Sequence, residues 1–462
     1  MKCGLLRIHI GSSWIYAPFT TLKPFLIPIF VLESRLGHID MQTKPDSNAI
    51  SRDAWAALRI RDFRLLIVGR FIAQIGEMMV SVGVGWELYE RTKDPLALGL
   101  VGLVQIIPVI LLSLPGGYAA DRYNRRLITL VSQVVLIVCS LILAVISLTQ
   151  GPLWLLYSVL GVIGAARAFN NPAESALTPQ VVPPEHYFNA ITWSTSVWQL
   201  SAILGPALGG LIIGVAQHAA PVYITNALAG GALVVALLLL HSRQAPRENF
   251  NESPLEAVRG GWRFLRRTPI ILSSITLDMF AVLFGGAVFL LPIFASDVLH
   301  VDASGLGLMR AAPSVGALLM ATYLARRAPF QKSGQTLLLA VAGFGVATIV
   351  FGLSTSFWLS VAMLALLGAL DNISVVIRHT LIMTYTPDEM RGRVGAVNAV
   401  FIGASNELGG FESGVAASLL GPVGAVIFGG VGTIAVVGII AWVSPQLRRL
   451  GVIRQEVQQE LA

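Results

Sequence analysis

From residue 63 onward, apolar runs long enough to cross a bilayer alternate with short polar connections. A membrane-spanning helix needs about 20 predominantly apolar residues, and twelve runs reach that length. The sequence therefore predicts an all-α membrane protein with twelve transmembrane helices. The predicted spans cover residues 63–88, 97–119, 127–149, 153–175, 190–216, 221–241, 270–295, 304–325, 334–354, 357–381, 395–419 and 421–443.

The twelve predicted spans fall into two halves that repeat one another. The sequence GLVQIIP at 102–108 reappears as GLMRAAP at 307–313, and the Thr-Pro pair at 178–179 reappears at 386–387. Parallel repeats with a site at their interface near the middle of the membrane are one plan on which membrane transporters are built. We therefore expect two pseudo-symmetric six-helix bundles.

The spans divide the chain into five segments. Before the first span, Met41 begins a polar lead, so we expect translation to start there; the alternative is that residues 1–40 form a membrane-surface segment. The predicted segments are an N-terminal extension at 1–57, a first bundle at 58–242, a cytoplasmic linker at 243–269, a second bundle at 270–445 and a tail at 446–462.

Basic residues lie on one side of the predicted membrane. From residue 52 onward, the even-numbered connections and the two ends carry 21 Lys and Arg, whereas the other side carries only Arg91 and Lys93. Cytoplasmic loops are enriched in Lys and Arg, so both termini are predicted in the cytoplasm. In the linker, Val258, Trp262 and Leu265 recur at helical spacing among arginines, which predicts an amphipathic helix on the inner leaflet.

Composition supports the membrane class and removes several others. Hydrophobic residues make up 55% of the 462 and charged residues 12%, against about 25% charged in soluble domains. A net charge of +7 would suit a nucleic-acid partner, but the basic residues lie in the gaps between spans, so none is expected. Two cysteines, Cys3 and Cys139, make no disulfide framework. No P-loop, metal-ligand spacing or catalytic carboxylate pair is present, so we expect no cofactor, metal or enzymatic activity.

Charged residues inside the spans are costly and usually face a cavity, so they are the first candidates for function. The structural alternative is a tie between helices or an ordinary charge at a span end, and Glu174 and Arg378 are the most open to it. The candidates for proton coupling are Glu77, Arg167, Asp278, Glu407 and Glu412. The candidates for a substrate cavity are Arg70, Gln105, Asn170, Trp198, Arg310 and Asp371.

One charged turn between the second and third spans is the most distinctive motif. The stretch GGYAADRYNRR runs from Gly116 to Arg126 and resembles the loop signature of the major facilitator superfamily, G-x-L-A-D-R-x-G-R-R/K. Ala119 and Asn124 depart from that signature. The resemblance implies that the motif forms a cytoplasmic latch between the second and eleventh helices. The residues it assigns to this gate are Gly117, Asp121, Arg122, Arg125 and Arg126.

Three further stretches resemble motifs of the same superfamily. Arg167 with Asn170 resembles an R-x-x-Q-G motif that is implicated in proton transfer. The second stretch resembles a motif typical of exporters and contains Gly205, Pro206, Gly209 and Gly210. The third, at 386–414, is similar to the enterobactin-exporter-like branch of bacterial major facilitators.

The resemblance implies a secondary transporter of the bacterial inner membrane. It would exchange protons for a small amphipathic organic compound, such as a siderophore or a drug-like molecule, and would act as a monomer within the lipid bilayer. Three alternatives stay open at this point: an importer, a lipid flippase of the same fold, and a sensor or scaffold that moves no solute.

Overall fold

The structure is a computed structural model that describes residues 5–10, 13–18, 55–241 and 254–453. Three parts of the sequence analysis lie outside the described residues: the region around Met41, the polar first part of the linker and the end of the tail. The chain separates into one unit at 1–53 and a second at 54–462. In the first unit, β1 (Leu5–Ile10) pairs antiparallel with β2 (Ser13–Pro18).

The second unit consists of helices joined by short connections. Short helical turns at Ala56–Arg59, Thr178–Val181, Leu291–Ile293 and Pro445–Arg449 supplement the long helices. The long helices are α1 (Arg61–Thr92), α2 (Pro95–Arg122), α3 (Arg125–Thr149), α4 (Leu153–Ser175), α5 (Tyr187–Ala216), α6 (Ala220–Leu239), α7 (Pro254–Arg267), α8 (Pro269–Phe284), α9 (Ala303–Ala325), α10 (Ser333–Leu353), α11 (Phe357–Tyr385) and α12 (Asp388–Val443). In this second unit the all-α prediction is confirmed.

Eleven helical segments of the described chain are long and apolar enough to cross a membrane. The last of them, α12, has 56 residues and contains a non-helical position at Gly421. In the first arm, Gly414 lies against Pro95 at the start of α2. The second arm begins beside Gly352, near the end of α10, and it ends near the short helix Pro445–Arg449, which contacts Gly334 at the start of α10. The chain therefore reverses direction at Gly421. Twelve spans stay a prediction, which this reversal favours.

The seventh predicted span, 270–295, is not one continuous helix. α8 ends at Phe284, and a 3-10 helix at Gly286–Leu290, a short helical turn and a π-helix at Phe294–Val298 follow it. Two successive glycines and Pro292 interrupt regular helix hydrogen bonding there, because glycine is a poor helix former and proline lacks the backbone donor. The second half of this span therefore presents its backbone differently from a straight helix.

The helices pack as two halves. In the first half α1 packs on α5 and α6, α2 on α4, and α3 on α4 and α6. In the second half α8 and α10 pack on α12, and α11 packs on α9 and α10. The halves meet along two seams, α2 with α12 and α5 with α9. The repeat seen in the sequence thus corresponds to two packing units.

The linker helix α7 is held by the second half. Its buried Leu265 belongs to an apolar cluster with Val394 and Val397 of α12, and Trp262 stacks on Phe401 at 6.1 Å. Gly261 allows the close contact, since an added Cβ would lie 2.5 Å from the backbone oxygen of Arg393. Leu265 of the predicted apolar face is therefore covered by protein, whereas Trp262 keeps 38% of its surface exposed.

Small residues close both seams at the end of the molecule that lies away from the Gly116–Arg126 turn. We call this end the opposite end. A Cβ added at Gly210 of α5 would lie 2.3 Å from the backbone oxygen of Ala303 and 2.7 Å from Gly307 Cα. Along the other seam, a Cβ at Gly102 would lie 2.6 Å from the backbone oxygen of Glu407. Glycine is required for such close backbone approach between membrane helices.

The other end, which we call the basic end, carries the Gly116–Arg126 turn and is open. An added Cβ would meet no atom within 4 Å at Gly117 of α2 or at Gly392 and Gly395 of α12. On the second seam Phe188 of α5 is 81% exposed. The two halves therefore diverge from closed seams at the opposite end to a gap at the basic end.

The closed seams generate a prediction about the Gly210 contact. Gly210→Val overpacks the α5–α9 seam, which costs about 1–3 kcal/mol and should shift the population roughly five- to 150-fold towards conformers that are open at the opposite end. Spin labels at Thr149 and Trp358, in a background with Cys3 and Cys139 replaced by serine, would report this as longer distances.

Gly231→Val is the matched control, because an added Cβ at Gly231 meets no atom within 4 Å. An unchanged distance distribution in Gly210→Val would mean that this close contact does not set the conformation.

Candidate functional site

A cavity of about 200 Å³ lies between the two halves, towards the opposite end. α1, α2 and α4 line it from the first half, and Phe289, α9 and α12 line it from the second. Its polar lining residues are Ser81, Gln105, Arg167, Arg310 and Glu407, and its apolar lining residues include Val80, Val84, Leu98, Val101, Leu160, Ile163 and Phe289. A mainly apolar wall with a few convergent polar groups is typical of a small-molecule site.

Arg167 of α4 is the centre of the polar network at this cavity. Its Nε donates to Glu77 Oε1 at 2.8 Å, and its Nη2 lies 2.7 Å from the same oxygen. Its Nη1 donates to the side-chain oxygen of Gln105 at 2.8 Å. One guanidinium thus joins α1, α2 and α4. The predicted candidates Glu77, Gln105 and Arg167 form a single cluster.

Arg310 and Glu407 line the cavity from the second half. Arg310 Nη1 donates to Ser81 Oγ at 3.1 Å, which is a contact between the halves. Glu407 belongs to the first arm of α12, beside Gly102 of α2, where an added Cβ would lie 3.3 Å from its Oε2. The two seams therefore bring an arginine and a glutamate of the second half to the cluster around Arg167.

Two of the predicted cavity residues instead form a tie within the first half. Arg70 is 7% exposed, forms an ion pair with Glu174 at 2.5 Å and donates to the Glu174 backbone oxygen at 2.9 Å. Asn170 donates to the other carboxylate oxygen of Glu174 at 2.9 Å. Glu77 follows Arg70 by seven positions, so the two share a face of α1 two turns apart, and only Glu77 reaches the Arg167 network.

Trp198 and Glu412 also lie away from the lining of this cavity. Trp198 is 50% exposed on α5. Glu412 accepts a hydrogen bond at 3.3 Å from Ser413, its neighbour on α12. Both were predicted near the substrate or the proton path because of their residue type and depth. The sequence does not show how a helix is rotated, and that rotation decides which side chains reach the cavity.

Asp278 and Asp371 belong to a separate cluster inside the second half. Asp278 of α8 forms an ion pair with Arg378 of α11, and both side chains are less than a tenth exposed. Asp371 lines a small void next to them together with Ser374. The structure therefore separates the predicted ionisable residues into a cluster at the interface of the halves and a cluster within one half.

Among the described residues, no hydrogen bond or ion pair joins the loop signature to α12 in this conformation. Asp121 is 63% exposed and lies 3.9 Å from Arg125 of the same turn. Arg125 donates to the backbone oxygens of Ala120 and Ala176 at 3.0 and 3.4 Å, and Arg126 donates to that of Leu240 at 2.9 Å. Arg122 contacts the Tyr118 hydroxyl. Arg125 and Arg126 thus connect helices of the first half, while Asp121 is exposed at the open basic end.

The exporter-type motif of α5 contacts helices on two sides. Gly205 and Gly209 approach Met78 and Met79 of α1, where added Cβ atoms would lie 2.4 and 3.2 Å from their Cβ atoms. Gly210, together with the backbone oxygen of Pro206, contacts Gly307 of α9 across the α5–α9 seam. The motif is therefore a close-packing surface that belongs to both a half and the seam between halves.

A polar network at the opposite end was missed by the sequence analysis. Glu87 is buried, accepts a hydrogen bond from Tyr223 at 2.9 Å and pairs with Arg91 at 3.1 Å. Tyr89 donates to Asp297 of the second half. Glu87 falls at the end of the first predicted span, where a charge looks like an interface residue. The structure instead buries Glu87 between Tyr223 and Arg91.

Two larger grooves lie between α3 and α4 and carry almost no polar surface. They have volumes of about 400 and 470 Å³, and Val135 and Val162 line both. Exposed apolar side chains surround them, as expected for a surface that faces lipid chains.

Among the described residues, no group of three or more His, Cys, Asp or Glu is placed to hold a metal ion.

Comparison with known proteins identifies the family. Residues 52–457 match the family described as transmembrane secretion effectors. The chain belongs to that family of major facilitator transporters, and it is a multi-pass membrane transporter rather than an enzyme.

Relatives and solved structures agree with this assignment. The enterobactin exporter EntS of Citrobacter koseri is 27% identical over 393 residues, covering 84% of this chain and 92% of that protein. EntS of Escherichia coli O1:K1 is 26% identical over the same share. A bacterial homologue of the lysosomal transporter Spinster, inward-facing and unoccupied, has a TM-score of 0.62 at 14% identity and covers 86% of this chain and 97% of its own. The nucleoside transporter NupG has a TM-score of 0.59 at 13% identity and covers 84% and 98%.

The buried pair in the second half generates a stability prediction. Asp278→Asn should destabilise the protein by about 3–5 kcal/mol, because it removes the carboxylate that pairs directly with the buried Arg378. In the double variant with Arg378→Gln the loss should be smaller than the sum of the two single losses. Denaturant unfolding in detergent, followed by tryptophan fluorescence, measures all three.

Asp388→Asn is the control, because Asp388 is 80% exposed in its pair with Arg391. Its effect should stay below about 1 kcal/mol. Additive losses in the double variant would contradict a direct interaction between Asp278 and Arg378.

Proposed function

We propose that this protein is a proton-driven exporter that moves a small amphipathic organic compound by alternating access. The observation that carries the proposal is the Glu77–Arg167–Gln105 network at a cavity between the two halves. In transporters with parallel repeats, the substrate and the coupling ion bind near the repeat interface. Rocking of the halves then exposes the site to one side at a time.

The coupling step is proposed to act on the Glu77–Arg167 ion pair. A proton on Glu77 removes the negative charge that holds two of the guanidinium nitrogens. Arg167 then loses its strongest tie to α1, because charge-assisted hydrogen bonds are about twice as strong as neutral ones. The freed guanidinium and the neutral acid present a different surface to the cavity. Proton binding and substrate binding are thereby coupled through one side chain.

The cavity and the relatives together support the substrate class. Apolar residues such as Val84 and Phe289 form most of the wall, while Gln105, Arg310 and Glu407 provide polar contacts. This lining suits a compound with both apolar and polar parts. The two relatives described above are named as exporters of enterobactin, a likeness that favours export and makes a siderophore a reasonable first compound to test.

The basic end is proposed to face the cytoplasm of a bacterial inner membrane. The strong bias of Lys and Arg towards this end supports that orientation. With this assignment the conformation is open to the cytoplasm, where an exporter takes up its substrate, and closed at the periplasmic side by the glycine seams. The protein is proposed to work as a monomer, since each half completes the cavity of the other.

The first test concerns Glu77. Glu77→Gln should reduce proton-driven efflux to below about a tenth of wild type, a change of about 1.4 kcal/mol or more, because the variant no longer binds and releases the coupling proton. Inverted vesicles with an imposed pH difference, supplied with enterobactin or ethidium, provide the measurement, and a pH dye records counter-movement of protons.

Glu90→Gln is the matched control, an exposed acid near the end of the same helix. Wild-type protein that moves solute equally with and without the proton gradient would refute antiport. If the wild-type protein moved neither enterobactin nor ethidium under any gradient, the result would favour a sensor or scaffold over a transporter of these compounds.

The second test concerns the latch. Asp121 is proposed to dock on the first arm of α12 only when the basic end closes. Asp121→Asn should therefore cut transport by about tenfold, roughly 1.4 kcal/mol, while expression and unfolding stability stay unchanged, since the acid is exposed in this conformation. Efflux in the same vesicles, normalised to protein content, measures the effect.

Glu185→Gln provides a comparison, because Glu185 is an exposed acid in the connection before α5. Unchanged efflux in Asp121→Asn would remove the latch from the transport cycle.

A further inference from the structure

We propose that Asp371 is a second proton-binding group, located inside the second half and separate from the Glu77–Arg167 pair. This inference extends the proposed proton coupling and rests on it only for its consequence in transport. The protonation itself concerns a site that the central cavity does not include.

The cluster contains two carboxylates and one guanidinium. Arg378 forms its ion pair with Asp278, and the two side chains are 6% and 9% exposed. Among the described residues, no side chain or backbone group lies within hydrogen-bond or ion-pair distance of the Asp371 carboxylate. Arg378 neutralises only one of the two acids. The other acid needs its own neutralising partner.

Asp371 is partly buried in the structure and lies at mid-membrane depth in the predicted span. It stands midway along α11, 14 residues from Phe357 and 14 from Tyr385, which places it about 21 Å from either end. An ionised carboxylate without a counter-charge is strongly disfavoured in such surroundings, because the loss of hydration is not compensated. The neutral acid avoids that penalty.

The void beside Asp371 shows what could bind there. Its volume is about 10 Å³, and Asp278, Ala281, Val282, Val341, Phe344, Leu370, Asp371 and Ser374 line it. A single water molecule already needs about 10–15 Å³ of such space. A hydrated metal ion therefore does not fit, whereas a proton needs no space.

Ser374 gives the second, independent sign of a binding site. It is 2% exposed, it lines the same void, and its hydroxyl has no hydrogen-bond partner among the described residues. Buried hydroxyl groups are normally hydrogen-bonded. A protonated carboxyl group can donate to this hydroxyl, and an ionised one can accept from it. Ser374 is thus available to both states of Asp371.

The other elements packed around the cluster bring no competing charge to it. α10 contains no ionisable residue and contributes Val341 and Phe344. On α9, Arg310 donates to Ser81 across the central cavity. On α12, Glu407 lines that cavity and Glu412 accepts from Ser413. Asp278 and Arg378 are therefore the charged groups that Asp371 responds to.

Infrared difference spectroscopy tests the proposal without any knowledge of the substrate. The full-length protein in liposomes is taken through a pH change, and the carbonyl stretch of protonated carboxylic acids is recorded. Wild type should lose part of this band as the pH rises. Asp371→Asn should lack that component and release about one proton fewer per protein over the same titration.

Two variants keep the result interpretable. Asp371→Glu should retain the component at a shifted frequency, which shows that a carboxyl group at this position carries it even if Asp371→Asn folds poorly. Asp388→Asn is the exposed control and should match wild type. A full band in folded Asp371→Asn, or no titrating band in wild type, would overturn the proposal.

Two further arms separate this inference from its rivals. Replacing sodium by choline at constant pH should leave the band unchanged; a sodium-dependent change would assign the site to a metal cation and overturn the proton assignment. Glu77→Gln should retain the Asp371 component. If that variant also retained proton-driven efflux, the proposed coupling at Glu77 would fail while the second proton site would stand.

Discussion

The cost of placing charge within the membrane determines how this molecule is divided. Three ion pairs each join helices of the same half: Arg70 with Glu174, Arg167 with Glu77, and Arg378 with Asp278. A charge that loses such a partner inside the membrane is strongly disfavoured, so these pairs hold each half together. Contacts between the halves rely instead on close glycine packing and hydrogen bonds that can be exchanged, which suits two units that rock as rigid bodies.

Much of the fold could be predicted from the sequence because the bilayer imposes length and hydrophobicity on every span. The repeat and the membrane class follow from the same constraint. The break after Phe284 could not be located, since an apolar run with glycine and proline still has the composition of a span. The site was only partly predictable. Glu77, Gln105 and Arg167 do meet, whereas Arg70 pairs with Glu174, 104 residues away, because helix rotation selects partners and residue type does not reveal it.

The glycine-rich stretches show how one sequence feature serves packing and movement together. Gly210 and Gly307 let α5 and α9 touch at the backbone, and Gly99 and Gly414 do the same for α2 and α12. Flat surfaces of this kind have no interlocking side chains, so they can separate and meet again with little rearrangement. The charged turn between α2 and α3 lies at the basic end of the α2–α12 seam, where the two halves diverge and Asp121 is exposed.

The single non-helical residue in α12 has a mechanical consequence. Gly421 has φ 76° and ψ 164°, a backbone conformation that residues with a side chain rarely adopt, and it alone connects the two arms. A one-residue joint leaves no slack, so the arms cannot slide past one another lengthwise. A tilt of the first arm, which carries Glu407, therefore displaces the end of the second arm that is joined to it.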